Sequence, residues 1–245
     1  MDISYYTFSA EQSKIKKNEM LWQKGPAFII ITHLILSLIT GMFMKMSVIY
    51  MASASAVWGL FHSILASHGF KRQVKRLAGE FAFNRFYRFA YNLFSMASFS
   101  PILLMTAAFP DRALYVIPSP WVYLTTAVQG LSAFALIAAV MQTDALDFAG
   151  LAQLSPAYDF GQPRSLVVHG LYAHVRHPIY TAGLVFIWLS AEMTFNRLVL
   201  WLVLSVYMLV GALFEEKKLA VDFGAEYDAY KSITPMLIPS WRKKS

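Results

Sequence analysis

Residues 178–214 have the sequence PIYTAGLVFIWLSAEMTFNRLVLWLVLSVYMLVGALF, and this stretch decides the predicted fold. It consists of two apolar runs, 178–195 and 197–214, and only a few residues around Asn196 separate them. Apolar runs of about 20 residues are long enough to cross the hydrocarbon core of a bilayer as helices. The stretch therefore predicts two membrane spans joined as a tight helical hairpin.

The composition of the whole chain also indicates a membrane protein. Of the 245 residues, 57% are hydrophobic and 14% are charged, whereas an ordinary soluble domain is about 25% charged. The mean hydropathy is +0.48. These values exclude a disordered chain, a collagen and a coiled coil. The sequence contains no cysteine, which excludes a disulfide framework, a thiolate zinc site and a cysteine nucleophile.

Apolar segments recur along the chain and predict an all-α fold, a polytopic membrane helical bundle of about six transmembrane helices. The first segment is too long for a secretory signal, so we expect it to be retained. We expect a single membrane domain, 1–245, in which a four-span part, 26–141, precedes a catalytic-type loop, helical hairpin and tail, 142–245. The six segments are 26–44, 47–67, 86–109, 121–141, 178–195 and 197–214.

The distribution of lysine and arginine predicts the orientation of these spans. Cytoplasmic segments of membrane proteins carry an excess of these residues. With the N-terminus inside, 18 of the 21 basic residues are cytoplasmic, and only Lys45, Arg112 and Arg197 lie outside. We therefore expect both termini in the cytoplasm and a multi-pass protein of the bacterial inner membrane. The inside segments would be 1–25, 68–88, 142–177 and 215–245.

The densest basic cluster, Lys71, Arg72, Lys75 and Arg76, directly follows the second predicted span. Such a cluster attracts anionic headgroups, at about 1 kcal/mol per charge near the surface. The cluster serves equally well as a topogenic signal, which sets the orientation of the spans, and that interpretation is sufficient to explain it. The lipid bilayer is thus the expected partner, and we predict no nucleic-acid binding and no protein partner.

The segment HGLYAHVRHPIY, 169–180, leads into the fifth predicted span. Pro178 suits the first turn of a helix, where its missing N–H does no harm. Arg176 and His177 would then lie at a helix N-terminus on the membrane surface, which favours a carboxylate or another acceptor-rich ligand. The alternative is that both side chains reach out to lipid headgroups.

The segment EEKKLAVDFGAEYDAY, 215–230, leaves the sixth predicted span. Paired acids at the edge of the hydrocarbon region are disfavoured unless they meet cations. We therefore expect Glu215 and Glu216 to approach Arg176 and His177, although Lys217 and Lys218 are alternative partners. Apolar residues recur at steps of four, four and three, which predicts one amphipathic helix on the inner leaflet; they are Leu219, Phe223, Tyr227 and Tyr230.

Two histidines lie within predicted spans, His33 in the first and His62 near the inner end of the second. An ionisable residue inside a membrane is a functional hypothesis by default. As a pair they would suit the iron of a haem, because neutral imidazole is a common ligand. Each would equally serve as a hydrogen-bonding group between neighbouring helices.

Several familiar sites are absent from the sequence. It has no GxGxxG, GxxxxGK[ST], GxSxG or HExxH motif, so a Rossmann nucleotide site, a P-loop, an α/β-hydrolase and a zincin are disfavoured. No cluster of Asp, Glu and His has metal-ligand spacing, and we predict no metal site.

The C-terminal third resembles the integral-membrane methyltransferases. The similarity lies in GLYAHVRHPIY at 170–180, the span hairpin, EEKKLAVDFGAEYDAY at 215–230 and PMLIP at 235–239. This group includes isoprenylcysteine carboxyl methyltransferases and bacterial methanethiol S-methyltransferases, and TDALDFAGLAQL at 143–154 and AEMT at 191–194 are similar to the latter. Upstream, WGLFHSILAS at 58–67 and FNRFYRFAYNLFSMASF at 83–99 resemble the NnrU membrane family, which is related to carotenoid isomerases.

The resemblance implies an S-adenosylmethionine site at the cytoplasmic face without a Rossmann fold. Arg176 and Glu216 are the implied catalytic residues, and Tyr227 and Tyr230 are implied to bind the substrate and help close the pocket. The residues implied to surround the cofactor are Gly170, Tyr172, Arg176, His177, Pro178, Tyr180, Glu215 and Glu216.

The predicted function is therefore methyl transfer from S-adenosylmethionine to a small thiol or an isoprenylcysteine-like apolar acceptor. In-line transfer from a sulfonium needs positioning and desolvation rather than a metal. A haem-binding NnrU-like protein or isomerase that uses His33 and His62 is the alternative. A transporter or sensor lacks support, because no inverted repeat or pair of interrupted spans is visible.

Overall fold

The computed structural model describes residues 26–161 and 165–239. Within them the chain forms eight α-helices and one pair of short strands. The chain divides into two compact units, 1–46 and 47–245, which are described separately. The elements are α1 (Pro26–Ala66), α2 (His68–Ala78), α3 (Glu80–Ala108), β1 (Ala113–Val116), α4 (Trp121–Gln142), α5 (Ala145–Ala149), α6 (Pro178–Trp188), β2 (Glu192–Thr194), α7 (Phe195–Phe223) and α8 (Ala225–Ile233).

The predicted all-α membrane bundle is confirmed as a fold class. Four of the described helices, α1, α3, α4 and α7, are long and apolar enough to cross a membrane. Their large apolar side chains are mostly exposed, as for Leu104, Leu131 and Phe134. Exposed apolar side chains on long helices are the surface expected of a protein that contacts lipid tails.

The first two predicted spans, 26–44 and 47–67, are not separate helices. The structure gives a single helix, α1, through this region. The predicted break rested on Lys45 alone, and the sequence Met44–Ser47 has no Gly, Pro, Asn or Asp to end a helix or start a turn. A lone lysine is compatible with a continuing helix.

The fifth predicted span, 178–195, was also wrong in its length. Helix α6 has 11 residues, which is about 16 Å of helix, roughly half of a hydrocarbon core. The chain then forms β2, which pairs antiparallel with β1 through Ala113 with Thr194 and Val116 with Glu192. Polar side chains at Glu192 and Thr194 interrupt the apolar run after α6. Thr194 then caps the next helix, α7, by accepting a hydrogen bond from the Arg197 amide.

A polar cluster near β1 and β2 fixes the start of α7. The Asp111 carboxylate accepts a hydrogen bond from the Asn196 amide at 3.1 Å, and the Asn196 side chain donates to the Pro110 carbonyl at 3.2 Å. The Ser47 hydroxyl lies within hydrogen-bond distance of the same carbonyl and of Asn196. Helices α3 and α7 are thereby joined at this end of residues 47–245.

The buried core of residues 47–245 centres on Met51, Ile102 and Leu200, which come from α1, α3 and α7. Helices α4 and α6 pack against each other more extensively than any other pair of described elements. This packing brings the end of α4 next to the segment that precedes α6. The Gln142 side chain at the end of α4 accepts a hydrogen bond from the Leu171 amide at 3.0 Å.

The segment after α4 docks on α3 at the end of the bundle opposite the strands. Arg85 donates to the Leu154 carbonyl at 2.8 Å, and Arg88 pairs with the Asp147 side chain. Gly150 has a φ of +83°, and a Cβ there would lie 2.4 Å from the Phe89 amide nitrogen, so only glycine fits this close approach. The described parts of three predicted cytoplasmic segments, 68–88, 142–177 and 215–245, therefore meet at one end.

Candidate functional site

The stretch entering α6 and the tail that follows α8 lie side by side. The Arg176 amide donates to the Pro235 carbonyl at 2.9 Å, and the His177 amide donates to the Met236 carbonyl at 3.1 Å. The Thr181 hydroxyl donates to the Leu237 carbonyl at 2.8 Å. These bonds hold the tail against the N-terminus of α6. We call this arrangement, 172–181 with Glu216 and 227–237, the junction.

An ion pair between Arg176 and Glu216 lies at the centre of the junction. Nε of Arg176 donates to Oε1 of Glu216 at 2.9 Å, and Nη2 donates to Oε2 at 2.8 Å. The side chains are only 8% and 9% exposed. The predicted approach of the two segments is therefore confirmed, and the pair has the bidentate geometry that makes such contacts strong.

The remaining N–H groups of Arg176 donate to backbone carbonyls of the protein. Its Nη1 group donates to the Lys231 carbonyl at 3.3 Å and also to the Thr234 carbonyl. Four of the five N–H groups of the guanidinium are thus used within the protein. In this structure the bidentate partner of Arg176 is Glu216, and the predicted use of Arg176 to orient the carboxylate of a cofactor stays a prediction.

Glu216 accepts hydrogen bonds from two further groups and has a more distant cation nearby. Its Oε1 atom accepts from the Tyr227 hydroxyl at 2.6 Å and lies 2.7 Å from Nε2 of His177. Because an ionised carboxylate only accepts, Nε2 of His177 carries the proton. The Lys231 ammonium lies 3.9 Å from the other carboxylate oxygen. One buried carboxylate thus connects α6, α7 and α8.

The tyrosines of the junction stay protonated at neutral pH. Burial raises the pKa of Tyr230 to about 12, and burial together with the nearby Glu215 raises that of Tyr172 to about 12. Burial and the hydrogen bond to Glu216 raise the pKa of Tyr227. All three phenols therefore act as neutral groups that can donate a hydrogen bond.

The outer edge of the junction carries the accessible polar groups. The Glu215 side chain is 44% exposed, and its Oε2 atom lies 3.7 Å from Nδ1 of His177. The Tyr180 ring lies 5.6 Å from the His177 ring, and its hydroxyl interacts electrostatically with Glu215. A carboxylate beside a hydroxyl and an imidazole can receive an ammonium group or the hydroxyls of a sugar.

At two of the predicted cofactor residues, Gly170 and Pro178, the backbone conformation explains the residue type. Gly170 begins a single 3₁₀ turn with a φ of +62°, and a Cβ there would lie 2.5 Å from the Gln142 side chain. Pro178 occupies the first turn of α6 and is buried, as the sequence predicted. The eight predicted cofactor residues all lie in the junction or at its border; they are Gly170, Tyr172, Arg176, His177, Pro178, Tyr180, Glu215 and Glu216.

Tyr227 and Tyr230 are buried, with 0% and 6% exposure. Their hydroxyls donate to Glu216 and to the Tyr172 carbonyl, the latter at 2.6 Å. The predicted contact of these tyrosines with a substrate stays a prediction. Their side chains close the junction on the side that faces α8.

The predicted continuous amphipathic helix through Leu219, Phe223, Tyr227 and Tyr230 is wrong. Helix α7 ends at Phe223 and α8 begins at Ala225, with Gly224 between them at a φ of +54°. A glycine at such a position commonly ends a helix. The break turns α8 back, so that Tyr227 reaches Glu216.

Sequence reasoning missed Thr181, Lys231, Thr234 and the carbonyls of 235–237 as parts of the junction. Most of these contacts use backbone atoms, and a sequence carries little signal for them. The one available signal was the proline at each end of PMLIP, because proline favours an extended chain.

Both ring nitrogens of His62 are engaged in the structure. Nε2 lies 2.6 Å from the Tyr91 hydroxyl and Nδ1 lies 2.9 Å from the Ser95 hydroxyl. An iron ligand needs a free nitrogen lone pair, so this arrangement gives the haem interpretation of His33 and His62 no support. Within the described residues, no group of three or more Asp, Glu or His side chains could hold a metal. A Soret band in the purified protein would revive the haem interpretation.

The fold and the junction define a helical membrane protein with a polar centre at one end of its bundle. No protein-family model matches the sequence, and no solved structure matches the fold. Curated proteins do match. A methanethiol S-methyltransferase of Pseudomonas deceptionensis is 42% identical over 73 residues, which are 30% of this chain and 28% of that protein.

Two further relatives carry the same name. One from Crocosphaera subtropica is 37% identical over 83 residues, 34% of this chain and 32% of the relative. Methanethiol S-methyltransferase 2 of Bradyrhizobium diazoefficiens is 28% identical over 198 residues, 75% of this chain and 70% of the relative. The stretches aligned with the first two relatives span less than a third of those proteins. The chain is thus similar to methanethiol S-methyltransferases, over most of its length in one case and over about a third of it in the others, whereas the NnrU resemblance stays a prediction.

Proposed function

We propose that the protein transfers a methyl group from S-adenosylmethionine to a small thiol at the cytoplasmic end of its membrane bundle. The observation that carries this proposal is the similarity to several methanethiol S-methyltransferases, one of them over 198 residues. An isoprenylcysteine-like acceptor is the second possibility, because the sequence also resembles the carboxyl methyltransferases of that substrate.

The groups at the outer edge of the junction suit the proposed cofactor. S-adenosylmethionine supplies an activated methyl group on a positively charged sulfur, and it carries an ammonium group and ribose hydroxyls. Glu215, whose carboxylate is partly exposed, would hold the ammonium group or the ribose. Tyr180 and His177 border the same edge and offer further hydrogen bonds.

Arg176 and Glu216 have a different role in this proposal. Because both side chains are buried and bonded to each other, we assign them to positioning rather than to direct contact with the reacting atoms. They fix the 172–181 segment to α7, and Glu216 also fixes α8 through Tyr227. A rigid support of this kind is what transfer by in-line displacement requires, since misplacing the reactants by about 1 Å costs up to 10²-fold in rate.

The membrane setting supports an apolar acceptor. Short α6 and the tail place the junction beside lipid-facing helices, so a small apolar thiol dissolved in the bilayer would reach it without crossing water. A site with little water also strengthens the electrostatic contacts that orient the cofactor.

The test is a methyl-transfer assay with the purified full chain in lipid nanodiscs. Labelled S-adenosylmethionine is supplied with methanethiol, and the expected product is dimethyl sulfide, measured by gas chromatography. A parallel reaction contains a prenylcysteine, and product there without dimethyl sulfide would replace the thiol by that acceptor. Absence of cofactor binding and of both products would overturn the proposal.

Variants separate the two roles within the junction. Glu215→Gln is expected to weaken cofactor binding, measured by equilibrium dialysis, and to leave the unfolding temperature close to that of the wild type. Tyr123→Phe, at an exposed tyrosine of α4, is the control that should change neither. Equal cofactor affinity in Glu215→Gln and in the wild type would contradict the assignment of Glu215.

A further inference from the structure

His62 lies in a polar cluster that the proposed cofactor site does not use. It projects from α1 toward α3, where Tyr91 and Ser95 meet its two ring nitrogens at 2.6 and 2.9 Å. The Trp58 ring stacks on the imidazole at a centroid distance of 4.8 Å, and the Tyr207 ring of α7 lies edge-on at 5.9 Å.

The hydrogen bonds determine the tautomer of His62. The Ser95 hydroxyl donates its one proton to the Tyr91 carbonyl at 2.7 Å, so toward His62 the Ser95 oxygen accepts. Nδ1 of His62 therefore carries a proton and donates it to Ser95. Nε2 then has a lone pair and accepts the hydrogen bond of the Tyr91 hydroxyl. The result is a neutral imidazole whose basic nitrogen is bonded to a phenol.

This cluster borders the proposed cofactor edge. Tyr207, whose ring contacts that of His62, is followed by Gly211 and Glu215 at steps of four along one face of α7. The Tyr180 hydroxyl lies 3.7 Å from the position that a Cβ on Gly211 would take. The titratable groups that face His62 are two phenols, Tyr91 from α3 and Tyr207 from α7. Tyr87 is stacked on Tyr91, and Tyr180 lies beyond this pair of phenols. After Tyr180, the next titratable group in this series is the charged carboxylate of Glu215.

A thiol acceptor has to lose a proton before or during methyl transfer. The thiolate is the nucleophile, and an alkyl thiol such as the Cys side chain, with a pKa of about 8.5, is mostly protonated at neutral pH. In a membrane little water is present to take this proton. In the junction Glu216 is bonded to Arg176 and His177, and in the proposed function Glu215 holds the cofactor.

We propose that Tyr91 and His62 take the proton of the acceptor thiol, an inference that rests on the proposed function. The S–H proton passes to the Tyr91 oxygen as the Tyr91 proton passes to Nε2 of His62. The S–H and Tyr O–H bonds break, a new O–H and an N–H bond form, and a thiolate and an imidazolium remain. The thiolate then attacks the methyl group. After the product leaves, Nε2 of His62 returns its proton to the Tyr91 oxygen as Tyr91 releases its own proton to a water that enters the emptied site. Tyr91 is thus the group that contacts the substrate, and His62 acts through it.

The experiment compares two acceptors that differ in ionisation. Methanethiol requires a proton acceptor at pH 7, whereas 4-nitrothiophenol is ionised there and does not. We expect His62→Gln and Tyr91→Phe to lower kcat/KM for methanethiol about 100-fold, the usual scale of general base catalysis, and to leave kcat/KM for 4-nitrothiophenol within about threefold. A purely structural role would lower both rates together.

Matched control variants, together with the outcomes that would contradict each proposal, separate the role of Tyr91 and His62 from the proposed methyl transfer itself. His33→Gln replaces an exposed histidine of the other unit, and Tyr123→Phe replaces an exposed tyrosine; neither should change either rate. Retained transfer to 4-nitrothiophenol shows that a variant is folded. Equal losses with both acceptors, or no loss with methanethiol, would overturn the role of Tyr91 and His62. A wild-type protein that methylates neither thiol would instead contradict the proposed function itself.

Discussion

At the scale of single residues, Glu216 is the carboxylate on which the junction depends. It bonds to Arg176 and His177, which precede α6, and to Tyr227 of α8, so it joins two separate segments to α7. Removing one partner of a buried pair leaves the other charge without compensation, and this loss is large even where the intact pair adds little net stability. Glu215, its neighbour, is partly exposed, so removing its charge should affect folding far less than removing that of Glu216.

We expect Glu216→Gln to destabilise the protein by about 3–5 kcal/mol, because the amide cannot compensate the buried Arg176 guanidinium. Glu215→Gln should cost less than about 1 kcal/mol, since that side chain is 44% exposed. Thermal unfolding in detergent micelles measures both. Similar unfolding temperatures for the two variants would show that Glu216 is not the central acid.

Gly170 offers a second test, of backbone conformation. Its φ of +62° disfavours any other residue, and a Cβ there would displace the Gln142 side chain, which lies 2.5 Å from that position and accepts a hydrogen bond from the Leu171 amide. Gly170→Ala should destabilise by about 1–3 kcal/mol. Gly183→Ala is the matched control: it lies within α6, where the nearest atom to a Cβ is the Met208 sulfur at an ordinary 3.5 Å. That variant should unfold at or above the wild-type temperature, and a loss as large as that of Gly170→Ala would refute the argument.

At the scale of elements, α8 is held mainly by two phenols that donate into the junction. The Tyr230 hydroxyl donates to the Tyr172 carbonyl at 2.6 Å, and Tyr227 donates to Glu216. Neither bond survives ionisation of the phenol, so the attachment of α8 depends on both tyrosines staying protonated.

The pH dependence follows from the raised pKa of Tyr230, about 12 against an ordinary value of about 10. The stability that this tyrosine contributes is fully present below pH 10 and is lost as the pH rises toward 12. We expect Tyr230→Phe to cost about 1–3 kcal/mol at neutral pH, because the Tyr172 carbonyl loses its donor. The excess stability of the wild type over this variant should shrink by up to about 2 kcal/mol between pH 10 and pH 12. Denaturant titrations at both pH values measure it, and an unchanged difference would be inconsistent with a protonated, buried Tyr230.

The elements also show how much the sequence could predict. Glu215 and Glu216 after an apolar run, and Arg176 and His177 before Pro178, predicted their own convergence, since charges at the edge of the hydrocarbon region need partners. Which acid would face inward depends on the rotation of α7, and neighbouring residues differ by about 100° around a helix. The contact of the tail with 176–181 uses backbone groups, which leave no trace in side-chain patterns.

Other misses have the same physical origin. The continuity of α1 past Lys45 shows that a single charge interrupts a hydropathy profile without ending a helix. The ending of α6 at Trp188 goes with the pairing of β2 with β1, a tertiary contact that hydropathy does not record. β1 and β2 are four and three residues long, and strands this short have no periodic pattern to detect. His62 was expected to bond a neighbouring helix or a haem, and its bonds to Tyr91 and Ser95 require the packing of α1 on α3.

At the scale of the whole molecule, the polar groups of residues 47–245 are divided between two ends. One end holds β1, β2 and the Asp111–Asn196 cluster. The other holds the junction, the loop that contains Asp147 and the basic helix α2. The predicted topology assigns the second end to the cytoplasm, because it carries most of the lysine and arginine.

Single cysteines can test this assignment, since the natural chain has none. We expect Gln73→Cys in α2 and Glu226→Cys in α8 to react with a membrane-impermeant maleimide only after the cells are permeabilised. Leu114→Cys in β1, 43% exposed, should react in intact cells. The reason is that about 30 Å of hydrocarbon separates the two ends if α3, α4 and α7 cross it. Labelling of Gln73→Cys and Leu114→Cys from the same side would refute the spans, and labelling of Glu226→Cys in intact cells would place the junction outside. In the latter case S-adenosylmethionine made in the cytoplasm would not reach it, so the measurement also tests whether the proposed reaction is possible in the cell.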